Sequence, residues 1–282
     1  MSEDLSYIID GGAVQGATTY LASPGGVLHH GHMAVLPAGY RSVDEMLAEE
    51  VFYVAHRGGS ANWPELSMRA FTNAAWWGAG ALEVSLNRTT DGVWYGLHDQ
   101  TLDRTSGTNN LAGNTLTWAQ VQQYQINGAE PYMRWEQLVE AYAHTHVFFV
   151  DPKYRQSTHR TEFLSMVEND IGTDRAVIKY SGTALGLAAD AESRGFHRWG
   201  YYYQGEYDSG VMASTQSAWS ILGMAYNASA PAWAAAMGYG KPVMGHIVAT
   251  PAQATTALSR GAHGLMVSGV LSIIPPKLPW PS

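Results

Sequence analysis

From Val51 onward, short runs rich in β-branched and aromatic residues alternate with segments of helical periodicity, and this alternation constrains the fold most tightly. Strands are expected over Phe52–His56, Ala81–Leu86, Val147–Asp151, Ala176–Tyr180, Trp199–Tyr203, Ser220–Ala225, Pro242–Val248 and Gly264–Val267, with helical patterns such as Pro64–Trp77 and Ala252–Arg260 between them. A strand followed by a helix and then another strand packs as a parallel βαβ unit, and eight such strands imply closure. The expected fold is therefore α/β, a TIM-type (β/α)8 barrel, and 282 residues suit one such barrel. An open doubly wound sheet shares the pattern, but no Gly-x-Gly-x-x-Gly follows a strand to support it. Residues 1–50 read as a short irregular leader or attachment segment, and 51–282 as the barrel.

Composition narrows the function classes. Charged residues make up 14% of the chain, against roughly 25% in an average soluble domain. With 46% hydrophobic residues and ten tryptophans, a disordered chain is excluded, and much surface is expected to be covered by neighbours or to bind sugars. The formal charge of −8 argues against nucleic acid as a partner, since that needs a basic face. An anionic substrate must then be met by local cations. There is no cysteine, which excludes disulfides, thiolate metal sites and cysteine nucleophiles. The start MSEDLSYIIDGG lacks the basic and apolar regions of a signal peptide, and no apolar run reaches the roughly 18 residues of a transmembrane segment. His29-His30-Gly31-His32 in the leader offers metal-binding side chains, although incidental loop histidines are the simpler reading. The proline-rich end, Ile274 to Pro281, is expected to run as an extended strap.

In a (β/α)8 barrel, chemistry sits at the carboxyl ends of the strands. His56 and Arg57 end the first strand candidate. Glu83 lies in the second with Ser85 two residues on, facing the same side. A further extended run, Val93 to Leu97, delivers His98 and Asp99, and Asp151 and Lys153 end the third. Unpaired charge is costly inside a barrel, so histidines, carboxylates and cations converging on one mouth point to a site.

These residues stand in an order that resembles the glycerophosphodiester phosphodiesterase family. The matching elements are His56-Arg57-Gly58, Pro64-Glu65, Ala70-Phe71, Glu83, Thr90-Asp91-Gly92, His98-Asp99 and Leu102-x-Arg104-Thr105. The resemblance implies metal-assisted phosphodiester cleavage. His56 and His98 would be the general acid/base pair, with the roles not assigned between them. Arg57 and Lys153 would hold phosphate oxygens. Glu83 and Asp151 would ligate a divalent cation, Mg²⁺ or Ca²⁺, with Glu65 and Ser85 as further candidates.

Some positions depart from the family pattern. Glu83-Val84-Ser85 stands where Glu-x-Asp is usual, and Asp151-Pro152-Lys153 where Glu-x-Lys is usual. Gly245-His246-Ile247-Val248 replaces Trp-x-Val-Asn on the seventh strand, and Ser268 replaces an acidic residue after the eighth. The Lys-poor, Trp- and Ala-rich wording is similar to phosphodiesterase-like modules of minor tail proteins from actinobacterial phages. That similarity implies a virion protein acting at the host surface on cell-wall or lipid phosphodiesters, homo-oligomeric and partnered by other tail proteins. A degenerate barrel serving as a structural or glycan-binding module is the alternative. Trp76, Trp77 and the run Tyr201-Tyr202-Tyr203 bear on it: Trp76-Trp77 read as helix packing, and the tyrosines should split between strand faces.

Overall fold

A computed structural model describes residues 39–153 and 157–277. The eight barrel strands are Phe52–His56, Ala81–Arg88, Val147–Asp151, Ala176–Ser181, His197–Tyr202, Ile221–Ala225, Val243–Val248 and Gly264–Val267. Each pairs in parallel with its neighbour, and the first pairs with both the second and the last, which closes the ring. The strands are almost wholly buried, as expected where helices cover the outside and side chains fill the inside. The expected (β/α)8 barrel is therefore the observed fold, with most strand ends within two residues of expectation.

Register sets the site. His56 lies beside Glu83 across the first and second strands, and Ser85 lies beside Asp151 across the second and third. Farther down, Phe52, Val147, Val177, Trp199, Ile221 and Met244 fill the interior. Gly223 makes room for the Trp199 indole: a Cβ there would come within 2.7 Å of its ring.

The stretch 39–50, grouped with the leader on sequence grounds, packs against the barrel instead. Its helix Val43–Leu47 is capped by Ser42, whose Oγ accepts from the Glu45 N–H at 3.1 Å. Val43 and Met46 are fully buried in the same interior cluster as the strand residues, and the Val43 N–H donates to the Asp174 carbonyl at 2.7 Å. The His29-His30-Gly31-His32 cluster lies outside the described residues.

Between the second strand and the helix Trp135–Tyr142, the chain forms an insertion with its own small core of Tyr95, Leu97, Leu102, Leu116, Val121, Ile126 and Tyr132. Its short strand Trp94–Gly96 runs antiparallel to the second barrel strand and leads directly to His98. The helix expected from Pro64 begins at Met68, because Ser67 caps it by accepting from the Ala70 N–H at 3.1 Å. Trp76 is buried, and the Trp77 indole N–H donates to the Ile274 carbonyl at 2.7 Å. Both tryptophans serve packing, and Trp77 fastens the described part of the terminal strap, which ends at Lys277.

Candidate active site

The site begins at the turn after the first strand. Arg57, Gly58 and Gly59 all have positive φ, at 52°, 75° and 94°. Such angles are rare for a side chain like that of Arg57, and strain of this kind gathers at functional sites. The glycines are required for space as well: a Cβ on Gly58 would lie 2.9 Å from Ala70, and one on Gly59 would lie 2.9 Å from the Trp63 ring. The turn aims the Arg57 backbone N–H at Glu83 Oε2, 2.9 Å away.

His56 is buried, with Nδ1 3.4 Å from Ser60 Oγ. Its Nε2 has no hydrogen-bond partner and lies 3.9 Å from Glu83 Oε2. Burial, reinforced by the charges of Arg57 and Lys179, holds its pKa well below the ordinary imidazole range. His98 reaches in from the insertion. Its Nδ1 lies 2.8 Å from Asp99 Oδ1, a contact in which the ring N–H donates and Nε2 is left free as an acceptor. Burial and then Arg57 and Lys153 lower its pKa, against the opposing pull of Asp99.

A chain of ion pairs fixes this arrangement. Arg104 donates from Nε to Asp99 Oδ2 at 2.6 Å and reaches Glu65 with its two terminal nitrogens at 2.9 and 2.7 Å. Glu65 in turn accepts from Arg57 at 3.2 Å on each oxygen. Glu65 thus joins the first-strand turn to the insertion, and Arg104 locks the carboxylate that orients His98. This corrects the expectation that Glu65 ligates a metal, since both its oxygens are taken by guanidinium groups.

The carboxylates expected to hold a divalent ion are also engaged. Lys179, from the fourth strand, places its Nζ 2.7 Å from Glu83 Oε1 and 2.9 Å from Asp151 Oδ2. Ser85 donates to Glu83 Oε1 at 3.1 Å, and Lys153 pairs with Asp151 Oδ2 at 2.8 Å. Of the four oxygens of Glu83 and Asp151, Asp151 Oδ1 is left buried without a partner. Calcium takes six to eight oxygen ligands and magnesium a near-ideal octahedron. Two carboxylates with an ammonium between them supply neither. Among the described residues no group of three or more His, Asp or Glu side chains could hold a metal ion. The donor set expected from Glu83, Asp151, Glu65 and Ser85 does not fit Mg²⁺ or Ca²⁺.

Burial opposes the charges of Glu83 and Asp151, but the neighbouring cations dominate and keep both carboxyls below their ordinary range. Burial likewise opposes the charge on Lys179, but Asp151 and Glu83 together raise its pKa. Lys153 is lowered, because burial there outweighs Asp151.

These groups face a cavity of about 150 Å³ lined by His56, Arg57, His98, Lys153 and Lys179 on one side and by aromatic rings on the other. The expected split of the tyrosine run is observed. Tyr201 and Tyr203 line the cavity, while Tyr202 turns outward and its hydroxyl meets Thr215 Oγ1 at 3.0 Å. His246, from the segment that replaces Trp-x-Val-Asn, completes the wall with its ring centroid 5.7 Å from Tyr201 and 5.1 Å from Tyr203. Its Nε2 is 3.0 Å from the Tyr202 carbonyl and burial lowers its pKa to about 4, so it is a neutral wall residue. Ser268 is structural, donating to the Val248 carbonyl at 3.2 Å. Sequence reasoning missed Lys179, Arg104 as a clamp, and His246 as part of the wall. The one available signal was a lysine inside an otherwise apolar strand, which burial permits only with a partner.

The sequence profile of the Glycerophosphoryl diester phosphodiesterase family matches residues 56–187. Over that stretch, the chain is similar to this family. Among curated relatives, the Mycobacterium tuberculosis protein named Probable glycerophosphodiester phosphodiesterase 1 is 42% identical over 82 residues, which is 29% of this chain and 30% of that one. Bovine (Bos taurus) Glycerophosphodiester phosphodiesterase 1 is 42% identical over 74 residues, 26% of this chain and 22% of its own. The matched stretches thus span less than a third of these relatives. The solved structure of an Oleispira antarctica phosphodiesterase in complex with the product sn-glycerol-3-phosphate superposes with a TM-score of 0.65 at 14% identity, covering 77% of this chain and 93% of that one. The glycerophosphodiester phosphodiesterase of Thermotoga maritima gives 0.63 at 17%, covering 79% and 96%. At such identities the likeness shows the fold: the same barrel architecture extends through the carboxyl-terminal half, where the profile does not reach.

Proposed function

We propose that this barrel hydrolyses phosphodiesters of glycerol or a related polyol. The observation that carries the reading is one cavity presenting two free imidazole Nε2 atoms, from His56 and His98, together with Arg57, Lys153 and Lys179. One imidazole takes a proton from water as the water oxygen bonds to phosphorus. The other gives a proton to the departing alkoxide as its P–O bond breaks, so a phosphodiester and water become a phosphomonoester and an alcohol. The cations hold the non-bridging oxygens, and Tyr201 and Tyr203 offer a flat wall to the carbon-bearing group. The names of the family's relatives support glycerophosphodiesters as the substrate class. The test is turnover of glycerophosphodiesters and bis-(p-nitrophenyl) phosphate by the purified protein. Saturable binding of wall fragments without any turnover would instead favour the glycan-binding alternative.

The pH dependence follows from the two imidazoles. The base acts only when neutral, above its pKa, and the acid only when protonated, below its pKa. Both values are lowered from 6.5. The bell in kcat/KM is therefore expected to peak below pH 6.5; a maximum above pH 7 would contradict the assignment.

Arg104 acts through Asp99 and Glu65, so Arg104→Ala is expected to lower kcat by on the order of 10²-fold through misplacement of His98. The side chain is half-exposed, so the melting temperature should move little. Arg104→Lys should recover part of kcat, and a change confined to Tm would refute the positioning role.

The resemblance to phage tail modules supports a place for this barrel on a virion tail, acting on host-surface polymer or lipid phosphodiesters in a homo-oligomeric assembly with other tail proteins. No described helix is long and apolar enough to cross a membrane. Recovery of the protein with purified tails, and its loss from tail-less particles, would test that placement.

A further inference from the structure

Glu83 and Asp151 come from neighbouring strands, are fully buried, and direct one oxygen each at a single point. A hard cation bridging the pair would have to occupy that point. It is held by the Lys179 Nζ, which also lies 5.7 Å from the Trp199 ring centroid and 5.6 Å from that of Tyr201. Lys179 starts from the strand beyond Asp151 and is buried along its length, so its ammonium has little freedom to withdraw.

The charge of the surroundings suits an ammonium. An acidic residue at position 85 would place a third carboxylate beside the pair, a cluster that calls for a doubly charged ion. Ser85 is neutral and donates its hydroxyl to the same Glu83 oxygen that Lys179 engages. Ser85 and Lys179 are thus complementary: one removes a negative charge from the cluster, and the other supplies a single positive charge at its centre. An ammonium carries three N–H donors. Two are spent on Glu83 and Asp151, and the third is left for a phosphoryl oxygen in the cavity that Lys179 lines.

We propose that the Lys179 ammonium is the built-in cation of this site, standing where the carboxylate pair would otherwise gather a divalent ion, so that phosphodiester cleavage here runs on fixed cations alone. The catalytic half of this statement rests on the hydrolase reading above; the cation half does not.

The two halves are separated by two measurements on the full chain. In calorimetry with Ca²⁺ and with Mg²⁺, the protein is expected to bind neither ion at millimolar concentration. In turnover of a glycerophosphodiester, EDTA is expected to leave the rate unchanged. Stoichiometric binding of either ion, or a rate lost in EDTA and restored by that ion, overturns the proposal. A protein that turns over nothing and binds no divalent ion supports Lys179 as the resident cation, while the hydrolase reading falls. Lys179→Met should lower turnover by on the order of 10²–10³-fold, the loss seen when one preorganised charge-stabilising donor is removed. It should also acquire a Ca²⁺-dependent rise in Tm that the parent lacks. Because that variant leaves two carboxylates facing each other, Ser85→Asp/Lys179→Met prepared in Ca²⁺ provides a second readout, with EDTA expected to lower its Tm. Failure of both variants to respond to Ca²⁺ would show that this point is not a cation site.

Discussion

Glu83→Ala is expected to cost about 3–5 kcal/mol of folding stability, the range for removing one partner of a buried ion pair. The magnitude follows from what the carboxylate satisfies. Its oxygens accept from the Lys179 ammonium, the Ser85 hydroxyl and the Arg57 backbone N–H, and none of these has water to replace it, because Glu83 and Ser85 are fully buried and Lys179 nearly so. The variant leaves Lys179 with Asp151 alone and releases the strained turn that Arg57 anchors. Glu83→Gln keeps the shape and one acceptor and should lose less. Denaturant unfolding measures both, and a loss below about 1 kcal/mol for the alanine variant would mean that water enters the cluster. The pH dependence has the same origin. The Glu83 and Asp151 carboxyls have lowered pKa values in the fold, so their contribution is fully present above the ordinary carboxyl range. It is lost as pH falls through the lowered values, and the protein should unfold in acid as the cluster protonates.

His56→Ala and His98→Ala should each reduce turnover by about 10²–10⁴-fold, the span of general acid–base catalysis. The double variant should fall little further than the worse single one, because two groups that act as a unit do not add. The stability readout separates the two positions. His98 is partly exposed and held only through Nδ1, so its loss should barely move Tm. His56 is packed at the barrel mouth, and its truncation leaves a void. Hydrolysis that survives both substitutions would remove the histidine pair from the mechanism, whatever became of Tm.

The barrel was legible because its determinants are local. Strands buried on both faces, such as Val147–Asp151, are apolar along most of their length, and helices must carry a periodic face, so each element announces itself within a window of about ten residues. Ser85, His98 and the split of Tyr201 from Tyr202 followed from strand direction and side-chain alternation in the same way. What escaped is what closure creates. Lys179 meets Glu83 only because the second, third and fourth strands stand side by side, 96 residues apart in sequence. In isolation Val177-Ile178-Lys179-Tyr180 reads as a strand with one polar interruption. Glu65 looked like a spare metal ligand because nothing local shows that Arg104, 39 residues away, folds back onto it. The plug helix Val43–Leu47 is five residues long, too short for any periodicity to be read.

That plug also turns the barrel into a blind well. With Val43 and Met46 sealing the floor and Trp199 filling the shaft above them, ligand traffic through the described part of the barrel uses the rim at the carboxyl ends of the strands. On the proposed hydrolase reading, substrate and product would then share one doorway, and each would have to clear it before the other could pass. A long polymer cannot thread through such a vessel; it has to offer a chain end, or a single linkage on a protruding kink, small enough to dip into a recess of about 150 Å³. Accessibility of the linkage would then govern which polymers react as much as the chemistry of the linkage itself.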